Sequence, residues 1–159
     1  MSLADLKRRL GLAVGALVAM TLPAVADLCE RRDFEGTGYA VCTVTDDRQD
    51  RLRLWLDDDS GKTLGDFTAV RRTLGPGEVL GFAMNAGMFH PDYAPVGLYR
   101  SGGVERGQLV TAGGGGNFGM RPNGVFCVGA KAPFQVIESR RFAKANPACR
   151  LATQSGPML

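Results

Sequence analysis

The chain has 159 residues, a formal net charge of +3, 22% charged and 45% hydrophobic residues, 22 Gly, 4 Cys and a single His. That length bounds it to one ordinary domain, and the composition is that of a folded chain rather than a disordered one. One His, and four Cys without a CxxC pair, leave almost no material for a structural zinc site or a serine–histidine triad.

Residues 1–26 read as a secretory signal peptide. Lys7, Arg8 and Arg9 form a basic start, Leu10 to Leu22 is apolar, and Ala24, Val25 and Ala26 match a small-residue cleavage site. The apolar stretch is shorter than a bilayer span and ends at Pro23, and no second long apolar run follows, so a periplasmic or secreted protein without a membrane span is expected after cleavage. The 133 residues that remain form the domain, residues 27–159, with 16 basic and 15 acidic side chains. In an oxidising compartment the even cysteine count predicts two disulfides out of three possible connectivities. Pairing Cys29 with Cys42 and Cys127 with Cys149 closes the shortest local loops.

Along the domain, Tyr39 to Thr45 and Arg51 to Leu56 read as strands, the second from the alternation of Leu52, Leu54 and Leu56, with Asp46 to Asp50 as the hairpin loop. Thr63 and Asp66 have capping-box spacing, and Leu64, Phe67, Val70 and Leu74 give a helix one apolar face before Gly75, Pro76 and Gly77 end it. Val79 to Met84 is a continuous apolar run, as in a central strand covered on both faces. From Gly75 to Gly129 there are 15 Gly in 55 residues, which predicts turns and short strands. Pro122, Asn123 and Gly124 make a tight turn into a strand from Val125 to Gly129, and Phe134 to Glu138 is another strand. A short helix starts near Ser139 and stops by Pro147, and Arg150 to Leu159 is strand material. The expected architecture is α+β: a single domain with a mixed, Gly-rich sheet and few short helices. Because the sequence stops on Pro157, Met158 and Leu159 within an apolar segment, the domain is expected to be incomplete at its C-terminal end.

Charge is uneven. Asp27 to Asp66 carries 11 acidic and 6 basic residues, Phe67 to Leu159 carries 4 and 10, so the second part favours an anionic ligand over the first. Without a dense Lys/Arg run, and in an exported protein, nucleic acid is not an expected partner. Several nominal motifs fail on context. Gly61-Lys62-Thr63 lacks the first glycine of a phosphate-binding loop, and Gly114, Gly116 and Gly119 are followed by Pro122 where a dinucleotide-binding helix should begin. The Asp57 to Gly61 segment lacks the spacing of a calcium loop, Ser155 lacks a nucleophile elbow, and His90 reads as a surface residue, so neither metal nor cofactor is expected.

What remains is the recurrence of Asn or Gln beside Gly at strand ends: Asn85 with Gly87, Asn117 after four glycines, Asn123 with Gly124, and Gln154 with Gly156. Glycine admits a ligand close to the backbone and an amide bonds sugar hydroxyls or phosphate oxygens, but the same pairs also make tight turns for conformational reasons alone. Turn chemistry is the simpler account of Asn123-Gly124, and both accounts stay open for Asn85 and Gln154.

Taken together, NAGMF at Asn85 to Phe89, GGNF at Gly115 to Phe118, PNGVF at Pro122 to Phe126 and ATQSGPML at Ala152 to Leu159 carry a resemblance to the phosphodiester glycosidase family, which includes an N-acetylglucosamine-1-phosphodiester α-N-acetylglucosaminidase. The resemblance extends from about Phe82 to Leu159, with Ala86 and Met88 departing from the family's first segment. It implies hydrolysis of a sugar-1-phosphodiester, with Asn85 and Ser155 in catalysis and Gly87, Asn117, Arg121, Asn123, Gln154 and Gly156 binding substrate. It also implies an arginine-containing segment and an LDGGGS-like segment after Leu159. A protein of another class, a noncatalytic glycan-binding or cell-envelope protein, would use the same amides and glycines without turnover.

Overall fold

The N-terminal hairpin is built by its turn. In the computed structural model, which describes residues 28–158, β1 (Cys29–Phe34) pairs antiparallel with β2 (Thr37–Cys42). Glu35 and Gly36 between them both take positive φ, 47° and 77°, as a type I′ turn requires. Cys29 faces Cys42 in register and is bonded to it, as expected from spacing. Strand β1 escapes the sequence reading because its pattern is ionic: Glu30 pairs with Arg32 and Arg31 with Asp33 along the strand. No other described strand pairs with this hairpin.

The segment from Arg51 to Leu56 is not a strand. Asp46–Arg51 forms a 3-10 helix in place of the expected hairpin loop, and the backbone beyond it bonds side chains instead of a neighbouring strand. The Leu52 carbonyl accepts from Arg150, and the Leu54 carbonyl accepts from Tyr99 Oη and Ser101 Oγ, each at 3.1 Å. Arg53 makes a two-pronged ion pair with Glu78, fastening this strip to the turn at Gly75. Helix α1 (Phe67–Arg72) starts three residues later than the capping-box spacing suggested: Asp66 is the N-cap, accepting from the Ala69 N–H at 2.7 Å, while Thr63 bonds Asp57 Oδ1. Val79 to Met84 forms no strand either. Val79 is 69% and Met84 73% exposed, and no described strand pairs with the segment.

Five short strands make the main sheet, in the order β4 (Val104–Arg106), β3 (Tyr99–Ser101), β7 (Leu151–Ser155), β5 (Gly124–Val128) and β6 (Phe134–Glu138). The class is α+β, with short helices α1, α2 (Gly116–Gly119) and α3 (Ser139–Ala145). The sheet is antiparallel throughout rather than mixed. Tight turns join β3 to β4 and β5 to β6, and α3 returns the chain so that β7 inserts between β3 and β5 running opposite to both.

Strand alternation gives the sheet two faces. Val125, Cys127 and Ala152 point to the inner face and pack with Leu98, Phe142 of α3 and Cys149 into the core, where Cys127 is bonded to Cys149. Helix α3 begins with the Glu138 carboxylate accepting from the Arg141 N–H and ends at Asn146 in the left-handed conformation, just before Pro147. Phe126, Thr153 and Ser155 point to the outer face, together with Val136 of β6.

Because Cys127–Cys149 lies in the core and Cys29–Cys42 staples a hairpin paired only with itself, Cys127→Ala/Cys149→Ala should cost about 3 kcal/mol in urea unfolding. Cys29→Ala/Cys42→Ala should leave the global midpoint nearly unchanged and speed hydrogen exchange only within β1 and β2. Separately, the Arg53 guanidinium and the Gly75 N–H lower the Glu78 pKa from 4.5 to about 2. The folded-state value is the depressed one, so this stabilisation is complete above about pH 4.5 and is lost as pH falls toward 2. Acid titration of stability in Glu78→Gln should lack that component.

Candidate functional site

The end of the sheet where β5 begins and β7 and β6 finish collects most of the glycine and amide segments, since Gly124 lies opposite both Ser155 and Glu138. The NAGMF loop is held there by close backbone approach. A Cβ on Gly87 would fall 2.7 Å from Thr153 Oγ1 and 2.9 Å from the Gln154 carbonyl oxygen, so the loop rests on β7 only because residue 87 has no side chain. Beyond it Val96 N–H bonds the Met88 carbonyl and Phe89 bridges Pro95, making a hairpin-like excursion.

Alternation then separates neighbours that the QSG sequence places side by side. Ser155 shares the outer face with Thr153, on which Gly87 rests, so Ser155 and the Asn85–Gly87 loop lie on one side of the sheet. Gln154 points the other way and is 1% exposed. Its Oε1 accepts from the N–H groups of Val110 (2.9 Å) and Leu98 (3.3 Å), and its Nε2 donates to the Val110 carbonyl and Ser139 Oγ, each at 2.7 Å. All four bonding positions of the carboxamide are thereby used internally and none is left for a substrate. Asn123, 3% exposed, likewise belongs to the framework: its Nδ2 donates to the Phe118 carbonyl at 3.2 Å, and its carbonyl accepts from the N–H and hydroxyl of Ser139. Asn123 and Gln154 are therefore both committed to the interior, Gln154 as a core clamp.

Four of the remaining candidates are accessible. Asn85 is exposed, Ser155 and Gly156 are half-buried, and exposed Arg121 lays its guanidinium over Gly113, 3.1 Å from where a Cβ would stand. Asn117 lies in α2, next to the Phe118 that Asn123 holds. The segment after β7 stays at this end, because Met158 N–H bonds the Pro122 carbonyl at 2.7 Å and its sulfur packs over Gly124. The carboxylate that the sheet brings here is Glu138. The N–H groups of Arg141 and Arg140 lower its pKa, so it is ionised and committed to capping α3. No group of three or more metal-ligating side chains occurs among the described residues.

A second concavity escaped the sequence reading. A groove of about 440 Å³ runs between Leu56, Asp57 and Thr63 on one side and Asp92 to Pro95 with Arg106 and Gly107 on the other. Only an unusual backbone marks it: Tyr93 sits at φ 66°, which no sequence pattern announces.

The internal bonding of Gln154 has a direct consequence for stability. Gln154→Ala strands the Val110 N–H and carbonyl and opens a cavity, which should cost about 3 kcal/mol in urea unfolding, whereas Ser155→Ala should change stability by less than about 1 kcal/mol.

No family model matches the chain, and no solved structure matches it. It is 33% identical over 145 residues to the uncharacterized protein YigE of Escherichia coli (strain K12). The alignment covers 91% of this chain and 56% of that relative, so the chain spans little more than half the length of the protein it resembles.

Proposed function

We propose that this chain carries the substrate-binding part of an exported phosphodiester glycosidase, an enzyme that hydrolyses a sugar-1-phosphodiester of the N-acetylglucosamine-1-phosphodiester type. The observation that supports this reading most is the seating of the NAGMF loop on β7 through Gly87, which leaves Asn85 and Ser155 on one face of the sheet. Two disulfides and the absence of a helix long and apolar enough to cross a membrane, among the described residues, are consistent with export.

The chemistry divides among the accessible groups. Arg121 offers a charge-assisted contact to the phosphodiester anion, the Ser155 hydroxyl and the Asn85 amide donate to phosphate or sugar oxygens, and Gly87 and Gly156 keep the approach open. A departing phosphomonoester is a weak base and needs little protonation, so the principal demand of the reaction is a base for the attacking water. Glu138, spent on the helix cap, is a poor one. That commitment favours a second reading, in which the described residues bind a glycan phosphodiester without turning it over.

One experiment separates the two. The purified chain is titrated with methyl N-acetylglucosamine-1-phosphate while released N-acetylglucosamine is measured. Binding weakened about tenfold by Arg121→Ala and about fivefold each by Asn85→Ala and Ser155→Ala, with turnover well below about 1 s⁻¹, is the expected result. Faster turnover that survives Ser155→Ala would relocate the chemistry, and undiminished binding in all three variants would refute the site.

A further inference from the structure

The groove beside β4 has a composition that selects among ligands. Asp57, with its side chain 20% exposed, pairs with Arg106 at 3.4 Å and accepts from Thr63 Oγ1 at 3.0 Å. Across the groove Asp92 keeps one carboxylate oxygen on the Ala94 N–H, at 3.0 Å. The polar lining therefore presents two carboxylates and one guanidinium, together with the hydroxyls of Thr63 and Tyr93. An anion meets Asp57 and Asp92, and a cation meets Arg106. A neutral polyhydroxylated ring uses both kinds of group, donating hydroxyls to the carboxylates and accepting from the guanidinium.

The aromatic part of the lining is Tyr93, 45% exposed, whose ring is stacked on Phe89 with centroids 5.8 Å apart, beside the apolar Leu56, Ala94 and Pro95. Tyr93 holds a left-handed backbone that is unfavourable for a bulky residue. The surroundings hold it: Tyr93 N–H bonds the His90 carbonyl, His90 N–H bonds the Ala94 carbonyl, and the hydroxyl end of the ring comes within ordinary contact distance of Gly65. Local strain of this kind persists where the position of the side chain matters, and here it sets an aromatic face at the rim of a polar groove.

From these observations we infer that the groove is a binding site for a neutral saccharide, with Tyr93 as the stacking platform and Asp57, Asp92 and Arg106 as the hydroxyl-binding groups. Its volume of about 440 Å³ lies in the range of small-ligand sites. Thr153, Tyr99 and Arg106 form one cross-strand row, so the groove lies two strand spacings, about 10 Å, from Thr153 at the middle of β7, and Ser155 lies two residues further on. The inference does not rest on the hydrolytic reading of the site at Arg121 and Ser155.

The test is a titration of the full, oxidised chain, followed by backbone amide NMR, with N,N′-diacetylchitobiose and cellobiose, and with spermidine and glucose-1-phosphate as charged comparisons. None of the disaccharide probes contains a phosphodiester, so failure here is distinct from failure at Arg121 and Ser155. Shifts at Asp57, Thr63, Tyr93, Arg106 and Gly107 with at least one disaccharide and with neither charged probe are expected. Tyr93→Asn, which tolerates the left-handed backbone, and Arg106→Gln should each weaken that binding at least about fivefold while leaving the thermal midpoint at or above, or close to, that of the parent. No groove shifts with either disaccharide at up to about 50 mM would overturn the inference. So would shifts with spermidine or glucose-1-phosphate alone, or disaccharide binding unchanged in both variants.

Discussion

The fold depends on one buried carboxamide. The Gln154 side chain joins three pieces of chain: Leu98 at the entry to β3, the strap at Val110, which belongs to no strand, and Ser139 at the start of α3. Buried amides are costly unless every donor and acceptor is met, and here each is. The same bonds fix the register of β7, because a slip by one residue would turn Gln154 to the outer face and Ser155 to the core. Gly97 completes the arrangement, since a Cβ there would stand 2.7 Å from the Gln154 oxygen.

With β7 locked, the accessible candidate residues are sorted by geometry rather than by proximity in sequence. Ser155 and the Asn85 loop come to one face of the sheet, while Gln154 and Asn123 hold up the other side and the turn beneath it. The accessible polar groups at this end are neutral or cationic apart from the capping Glu138, which matches the excess of basic residues after Asp66. Carboxylates gather instead at the neighbouring groove, balanced there by Arg106. The two concentrations of polar side chains thus differ in sign as well as in place.

Where the sequence was informative, local chemistry decided the outcome. Both disulfide pairings followed from short loops, β5 starts after Pro122 and α3 stops before Pro147 as expected, and β6 occupies the expected Phe134–Glu138. Expectations failed where backbone groups found partners that periodicity does not encode. Leu52 to Leu56 alternates like a strand, yet side chains of Arg150, Tyr99 and Ser101 take its carbonyls. The apolar run at Val79 describes composition and not burial. At the candidate site the amide-glycine pairs were visible in the sequence, but which amides face outward depends on strand alternation and on a clamp formed across 44 to 56 residues. The groove at Tyr93 had no sequence signal, because it is assembled from two separate loops, the end of β4 and a strained backbone.

The self-contained hairpin also bears on how the oxidised chain is reached. Four thiols permit three pairings, but Cys29 and Cys42 are separated by only 13 residues and are brought face to face by a tight turn that needs no support from the main sheet. Loop closure favours that bond over any union of an N-terminal cysteine with Cys127 or Cys149. Once it forms, the two remaining cysteines have a single choice, so closing the hairpin first reduces a combinatorial problem to one outcome.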